Sequence, residues 1–320
     1  MTAPSSLRAQ ISSAPPWPVV YLPLSFAVTA WGGSFVAARI VLHAASAGQA
    51  VLTPTVLATV RFGLASVVFL PPLVRAIGRR EVAAGDLLRM GMLGQLMYSI
   101  YFWLQYTGLQ QTSASVASIL VVGLVPLATA ALAQVLDRER LTRTSVASLL
   151  LGCCGVVLIA LPQGLHLDTS AGFVFGCACL VSNAVAFAVY SNLGKRWMHT
   201  ISPLVMTSGT MVSGALGLLV LSLIGSPAQS WTQVARLAGA QWLAVLYLAL
   251  VCSVAAFYAY NGVLAQIPAS RAATFVYFEP VIAVGLSVTL LHERLAAQSL
   301  LGGAIIAVSV VLLHLQRRRG

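Results

Sequence analysis

Three ionisable residues stand inside long apolar runs of this chain: Arg39, Arg61 and Glu279. A buried charge is costly unless it is paired, hydrated or neutralised, so each needs a reason. Glu279 directly precedes Pro280 in "RAATFVYFEPVIAVGLSVTLLHERL", residues 271–295. Pro280 has no N–H for the carbonyl of Val276, and its ring crowds that carbonyl. An acid and a weakened helix thus coincide at one point. Three chemistries are open to Glu279. It can be a neutral carboxyl, hydrogen-bonded inside a bundle. It can be locked in an ion pair with Arg61 or Arg271. Or it can face a cavity, where it would bind an ammonium group or exchange a proton.

Arg61 lies about two turns inside its run, and its guanidinium needs a carboxylate, carbonyl groups or a wet cavity. A cavity-facing role and a structural pair are both open. Arg39 is about one turn from the end of its run and can snorkel to a polar boundary. Tyr98, Tyr101 and Gln105 are spaced by three and four, which puts them on one helical face. Asn183 and Asn261 can hydrogen-bond a ligand or a neighbouring helix, with the helix favoured. Tyr106 and Tyr260 fall near the ends of their runs, where an interfacial aromatic belt is favoured. Tyr277, two residues before Glu279 and on another face, is expected to pack.

The elements that must hold these residues follow from composition. Of 320 residues, 59% are hydrophobic and 8% charged, about a third of the charge usual in soluble domains. Apolar runs near 20–42, 53–75, 88–108, 113–135, 143–161, 172–193, 201–224, 240–262, 269–290 and 297–314 can each cross a bilayer. The fold class expected is an all-α membrane protein with ten transmembrane helices. Residues 1–18 are read as a disordered cytoplasmic tail and 316–320 as a basic one. A β-barrel would alternate apolar and polar residues.

The net charge of +11 sits mostly in short loops, so topology and anionic lipid headgroups account for it better than nucleic acid does. With the N-terminus inside, Arg8, Arg75, Arg79, Arg80, Arg89, Arg138, Arg140, Arg143, Lys195, Arg196, Arg271 and Arg317 to Arg319 all lie inside. Only Arg236 and Arg294 lie outside. Both termini are therefore expected to be cytoplasmic. The five cysteines fall within spans and form no CxxC, which argues against disulfides and zinc. No HExxH, GxxxxGK[ST] or GxSxG is present, and no cofactor is expected.

The chain also repeats itself. Shifted by 154 residues, 98–141 aligns with 252–295 without a gap, and about ten of the 44 positions match. "YTGL" at 106–109 meets "YNGV" at 260–263, Pro126 meets Pro280, and Glu139-Arg140-Leu141 meets Glu293-Arg294-Leu295. Glu139 and Glu293 are read as caps of the helices that follow. Glu279 has Val125 as its mate, so the proline is shared and the acid is not. Five spans per half would invert one half relative to the other, with a site near the midplane.

These marks resemble the drug/metabolite transporter superfamily, specifically its two-repeat, ten-helix EamA-type permeases. The resemblance rests on "AWGGSFVAAR" at 30–39, "VRFGLAS" at 60–66, "QTSASVASILVVGLVP" before "DRERL", and "IPASRAATFVYFEP" before "HERL". It implies repeats over 19–161 and 172–315, a bacterial inner-membrane location, and export of small metabolites such as amino acids through a central cavity. It also draws attention to Trp31, the Trp-Gly mark of the first span. The candidate substrate-binding set is then Trp31, Arg61, Tyr98, Tyr101, Gln105, Asn183, Asn261 and Glu279, with proton coupling at Glu279 and kinks at Pro126 and Pro280. Partners are a small-molecule substrate and membrane lipids. A channel-like facilitator would need an open polar pore, and a lipid-acting enzyme a cluster of catalytic groups. The sequence offers neither.

Overall fold

A computed structural model describes residues 17–42, 50–112, 116–117, 119–138, 141–160, 170–226, 228–291 and 297–316. Helices run through every predicted span, with ends shifted by a few residues: α1 (Trp17–Leu42), α2 (Pro54–Gly78), α3 (84–111), α4 (Ile119–Leu136), α5 (Arg143–Ala160), α6 (Ala171–Trp197), α7 (Pro203–Gly225), α8 (Gly239–Leu264), α9 (269–291) and α10 (Ala297–Gln316). Six stretches are long and apolar enough to cross a membrane: Pro18–Leu42, Pro54–Gly78, Ile119–Leu136, Ala171–Trp197, Pro203–Gly225 and Gly239–Leu264. Among the described residues there is no strand. Of the predicted N-terminal tail, Trp17 and Pro18 already belong to α1, and residues 1–16 lie outside the described residues. Glu139, Glu293 and the side chain of Arg39 also lie outside them.

Helix starts follow local chemistry. Pro54 and Pro203 open α2 and α7, where a missing N–H costs nothing. Ser170 and Ser202 cap α6 and α7 by accepting from the N–H of Phe173 and Val205.

Packing reveals the internal relation. Helix α1 lies on α8 and α9, as α6 lies on α3 and α4; α2 pairs with α7, α5 with α10, and α4 with α9. Exchanging the first five helices for the last five returns the same principal contacts. The closest reciprocal contact is between α5 and α10. A Cβ on Gly155 would meet the Gly302 carbonyl at 2.8 Å and Ile306 Cγ1 at 2.6 Å; one on Gly302 would meet the Gly155 carbonyl at 2.6 Å and Ile159 Cγ1 at 2.8 Å. Small residues that let backbones approach are a main source of helix affinity in lipid. Gly155→Leu is therefore expected to lower the melting temperature in detergent by several degrees, since overpacking of this kind costs about 1–3 kcal/mol. Gly63→Ala is the control. Nothing lies within 4 Å of the added methyl, and alanine is the better helix former. A Gly155→Leu protein that melts with the wild type would refute the close-approach role.

Candidate functional site

The helices that carry the candidate residues are interrupted. In α3, residues Gln95–Ile100 form a π-helix, and in α8 so do Tyr247–Ala255. A shift of 154 residues carries 95–100 onto 249–254, inside the second segment. In α4 another π-segment, Ile119–Gly123, ends just before Pro126; in α9 a 3-10 turn, Phe275–Tyr277, ends just before Pro280. Each proline is thus the third residue of a resumed α-helix, Leu124–Leu136 or Phe278–Leu291, directly after a turn of altered pitch, as its missing N–H and its ring clash require. Sequence reasoning located the two prolines. It missed the π-segments, which have no composition of their own.

Irregular turns expose carbonyl groups, which must be satisfied in an apolar setting. Here side chains from the opposite half bond carbonyls in these turns or close to them. Trp31 Nε1 of α1 donates to the Cys252 carbonyl in α8 at 3.0 Å. Asn183 Nδ2 of α6 donates to the Tyr101 carbonyl of α3 at 2.7 Å. Tyr277 Oη of α9 donates to the carbonyls of Gly123 at 3.3 Å and Leu149 at 3.0 Å. Gly123 is the repeat mate of Tyr277, 154 residues away, so these two residues meet where the halves exchange. A Cβ at Gly152 would collide with the Tyr277 ring.

Several candidates are therefore engaged with protein. Trp31 also packs against Phe257 and Tyr260, with ring centroids 5.1 and 5.4 Å away. Tyr98 is fully buried among Phe62, Tyr190 and Phe257. Asn261 Nδ2 donates to Tyr190 Oη at 2.8 Å and Thr207 Oγ1 at 2.9 Å. Tyr260 corrects one expectation. It is not in an interfacial belt but fully buried, 3.2 Å from Ser191 Oγ and covered by Trp31 and Phe187. Tyr277 packs as expected. Gln105 is half-buried, and its amide bonds no described residue.

Arg61 is 8% exposed, the only charged side chain that is buried among the described residues. Its Nε donates to Ser253 Oγ at 2.7 Å. Its guanidinium lies 4.8 Å from the Phe62 ring and 5.7 Å from the Phe102 ring, within the range of cation–π attraction. No described residue accepts from either Nη. Glu279 is half-buried, and its carboxylate has neither a hydrogen bond nor an ion pair with any described residue. The two charges do not bond to each other. Arg61 bonds Ser253 of α8, Trp31 of α1 bonds the neighbouring Cys252 carbonyl, and a Cβ on Gly32 would meet the Glu279 carbonyl at 3.0 Å. A cation from α2 and an acid from α9 thus adjoin one aromatic-lined region around Trp31, each with bonding capacity that no described residue uses.

A second polar feature lies at helix ends. A cleft of about 370 Å³ is lined by Asp137, Lys195, Arg196, His199 and Gln266. Asp137 and Arg196 approach to 3.6 Å there, linking α4 to α6. Both are partly exposed, and such a pair contributes at most about 1 kcal/mol, too little to lock the halves together.

Comparison with known proteins places this geometry. Residues 19–161 and 174–315 each match the EamA-like transporter family. The chain is 28% identical to the "Uncharacterized transporter YyaM" of Bacillus subtilis over 73% of this chain and 76% of that protein. It is 25% identical to an "Uncharacterized transporter" of Archaeoglobus fulgidus over 93% and 99%. It is 26% identical to the "Uncharacterized inner membrane transporter YedA" of Escherichia coli over 89% and 87%. A solved crystal structure superposes with a TM-score of 0.76 at 19% identity, covering 94% of this chain and 98% of that one, and so shares the fold. With matched halves and helices interrupted at matched positions, this multi-pass membrane protein belongs to the EamA-like transporter family.

Proposed function

We propose that this transporter exports small zwitterionic metabolites, amino acids or close relatives, from the bacterial cytoplasm. Ten transmembrane helices, in two inverted halves of five, would rock about the region between Arg61 and Glu279. Both termini would be cytoplasmic. What supports this reading is the Arg61 guanidinium and the Glu279 carboxyl, neither of them ion-paired with a described residue. Arg61 has two Nη groups that no described residue engages and can offer them to a carboxylate, and Glu279, with no partner among the described residues, can offer a carboxylate to an ammonium group. A zwitterion satisfies both at once, whereas a simple amine or acid leaves one charge unanswered. The chain has no nucleotide-binding motif, so a gradient must drive net movement. Proton exchange at Glu279 is the simplest coupling the site supports.

The test is counterflow in proteoliposomes. Vesicles are loaded with a mixture of the twenty proteinogenic amino acids and challenged with an isotopic copy of the mixture, read by mass spectrometry. Saturable, trans-stimulated exchange of one or more of these amino acids is expected. Exchange of decarboxylated amines in preference to the amino acids would sink the zwitterion reading. Flux without trans-stimulation would instead favour a channel-like facilitator.

A further inference from the structure

Ser253 was not a candidate on sequence grounds, and in the structure it stands behind Arg61. It is fully buried in the α8 π-segment. A helical serine hydroxyl usually reaches a carbonyl three or four residues back, as Ser309 and Thr129 do here. Ser253 reaches five back, to the Leu248 carbonyl at 2.9 Å, because the π-turn is one residue wider. That bond uses its only proton. A hydroxyl has one donor and two acceptor lone pairs, so the oxygen faces Arg61 as an acceptor and takes Nε–H at 2.7 Å.

The consequence for the guanidinium is geometric. Arginine presents five N–H groups in one plane. A carboxylate can approach that plane side-on, through Nε and one Nη, or end-on, through both Nη. Ser253 occupies Nε and closes the side-on approach. Phe62 and Phe102 pack against the guanidinium. What is left is the end-on fork, held in one orientation. The first half shows the same scaffold put to another use. Ser99, the repeat mate of Ser253, bonds Gln95 Oε1 at 2.8 Å and the Gly214 carbonyl of α7 at 3.0 Å. There the serine meets an amide side chain and a carbonyl, and in the second half a carbonyl and a cation.

We infer that Ser253 is a positioning residue that holds the Arg61 fork for end-on capture of a substrate carboxylate. The inference rests on the carboxylate-binding reading above, and two independent measurements separate the fates of the two. The first needs no substrate. In protein labelled with ¹⁵N-arginine in nanodiscs, the Arg61 Nε–H resonance is assigned by its loss in Arg61→Lys. Its exchange with water is expected to be slow in the wild type and at least tenfold faster in Ser253→Ala. Ser253→Thr, which keeps the hydroxyl, retains slow exchange if it folds; if it does not, Ser253→Ala alone decides.

The second measurement is uptake of the amino-acid mixture and of a matching mixture of decarboxylated amines. Ser253→Ala is expected to raise the KM of the exchanged amino acids roughly tenfold, the loss of about one charge-assisted hydrogen bond. Vmax should stay within about twofold of wild type, and amine uptake should not change. An unchanged exchange rate in Ser253→Ala overturns the inference. So does a wild-type KM, or a fall in Vmax shared by acids and amines, which would mark a packing role. If exchange responds but the wild type does not prefer acids to amines, the Ser253–Arg61 bond stands and the carboxylate assignment falls.

Discussion

Replacing Arg61 by alanine is expected to lower Vmax/KM for carboxylate-bearing solutes by about two orders of magnitude or more. The reason is the environment of the cation. Arg61 is buried, and no described carboxylate lies in bonding contact with it. A substrate carboxylate would therefore be its first strong anionic partner. Removing one member of a buried, hydrogen-bonded charge pair costs about 2–5 kcal/mol, or roughly thirtyfold to several-thousandfold. Alanine also strips the packing against Phe62 and Phe102, so elution of the variant as a folded species in detergent is a required control. Arg61→Lys separates charge from geometry. Lysine restores the positive charge, but it has no Nε to engage Ser253 and no fork. It should recover part of the lost efficiency and remain well below wild type. Equal efficiency in Arg61→Lys and wild type would show that charge alone matters. Wild-type efficiency in Arg61→Ala would remove the residue from the site.

The physics of single residues explains which features were readable in sequence. Hydropathy placed the long helices, though not the short Ala228–Thr232, because burying an apolar run in lipid depends on local composition. Pro126 and Pro280 were readable because a missing N–H acts wherever it stands. The π-segments were not. "QLMYSI" and "YLALVCSVA" read as ordinary apolar helix, and the donors that meet carbonyls within or just after them are far away in sequence, Trp31 for Cys252 and Asn183 for Tyr101. The same distance hid Ser253, whose partner Arg61 is 192 residues away. Trp31, Asn183 and Asn261 illustrate a different limit. A side chain that can bond a solute can equally bond a helix, and only coordinates show which groups have capacity left. For Tyr260, distance from the span end suggested an interface, but Trp31 and Phe187 cover it from the side.

Glu279→Gln is expected to abolish acceleration of transport by a proton gradient while sparing exchange. In vesicles loaded with an exchanged amino acid, acidifying the outside should speed wild-type efflux severalfold. A carboxylate that loads a proton outside and releases it inside returns the carrier to its solute-accepting state. Glutamine matches glutamate in shape and cannot titrate, so the variant should lose this acceleration entirely. Counterflow at equal pH should fall by no more than about tenfold, since a neutral amide still accepts a hydrogen bond from an ammonium group. Folding should not suffer. The repeat mate Val125 shows that a neutral side chain suits the matched position, being 2% exposed in the core of α4, whereas a carboxylate without a partner inside an apolar span costs stability. The variant should therefore melt at or above the wild-type temperature, the usual signature of a residue kept for function at the expense of stability. Undiminished acceleration in Glu279→Gln would remove the proton from this residue. A lower melting temperature with exchange abolished would instead make Glu279 a structural group, one that holds α9 against the first half.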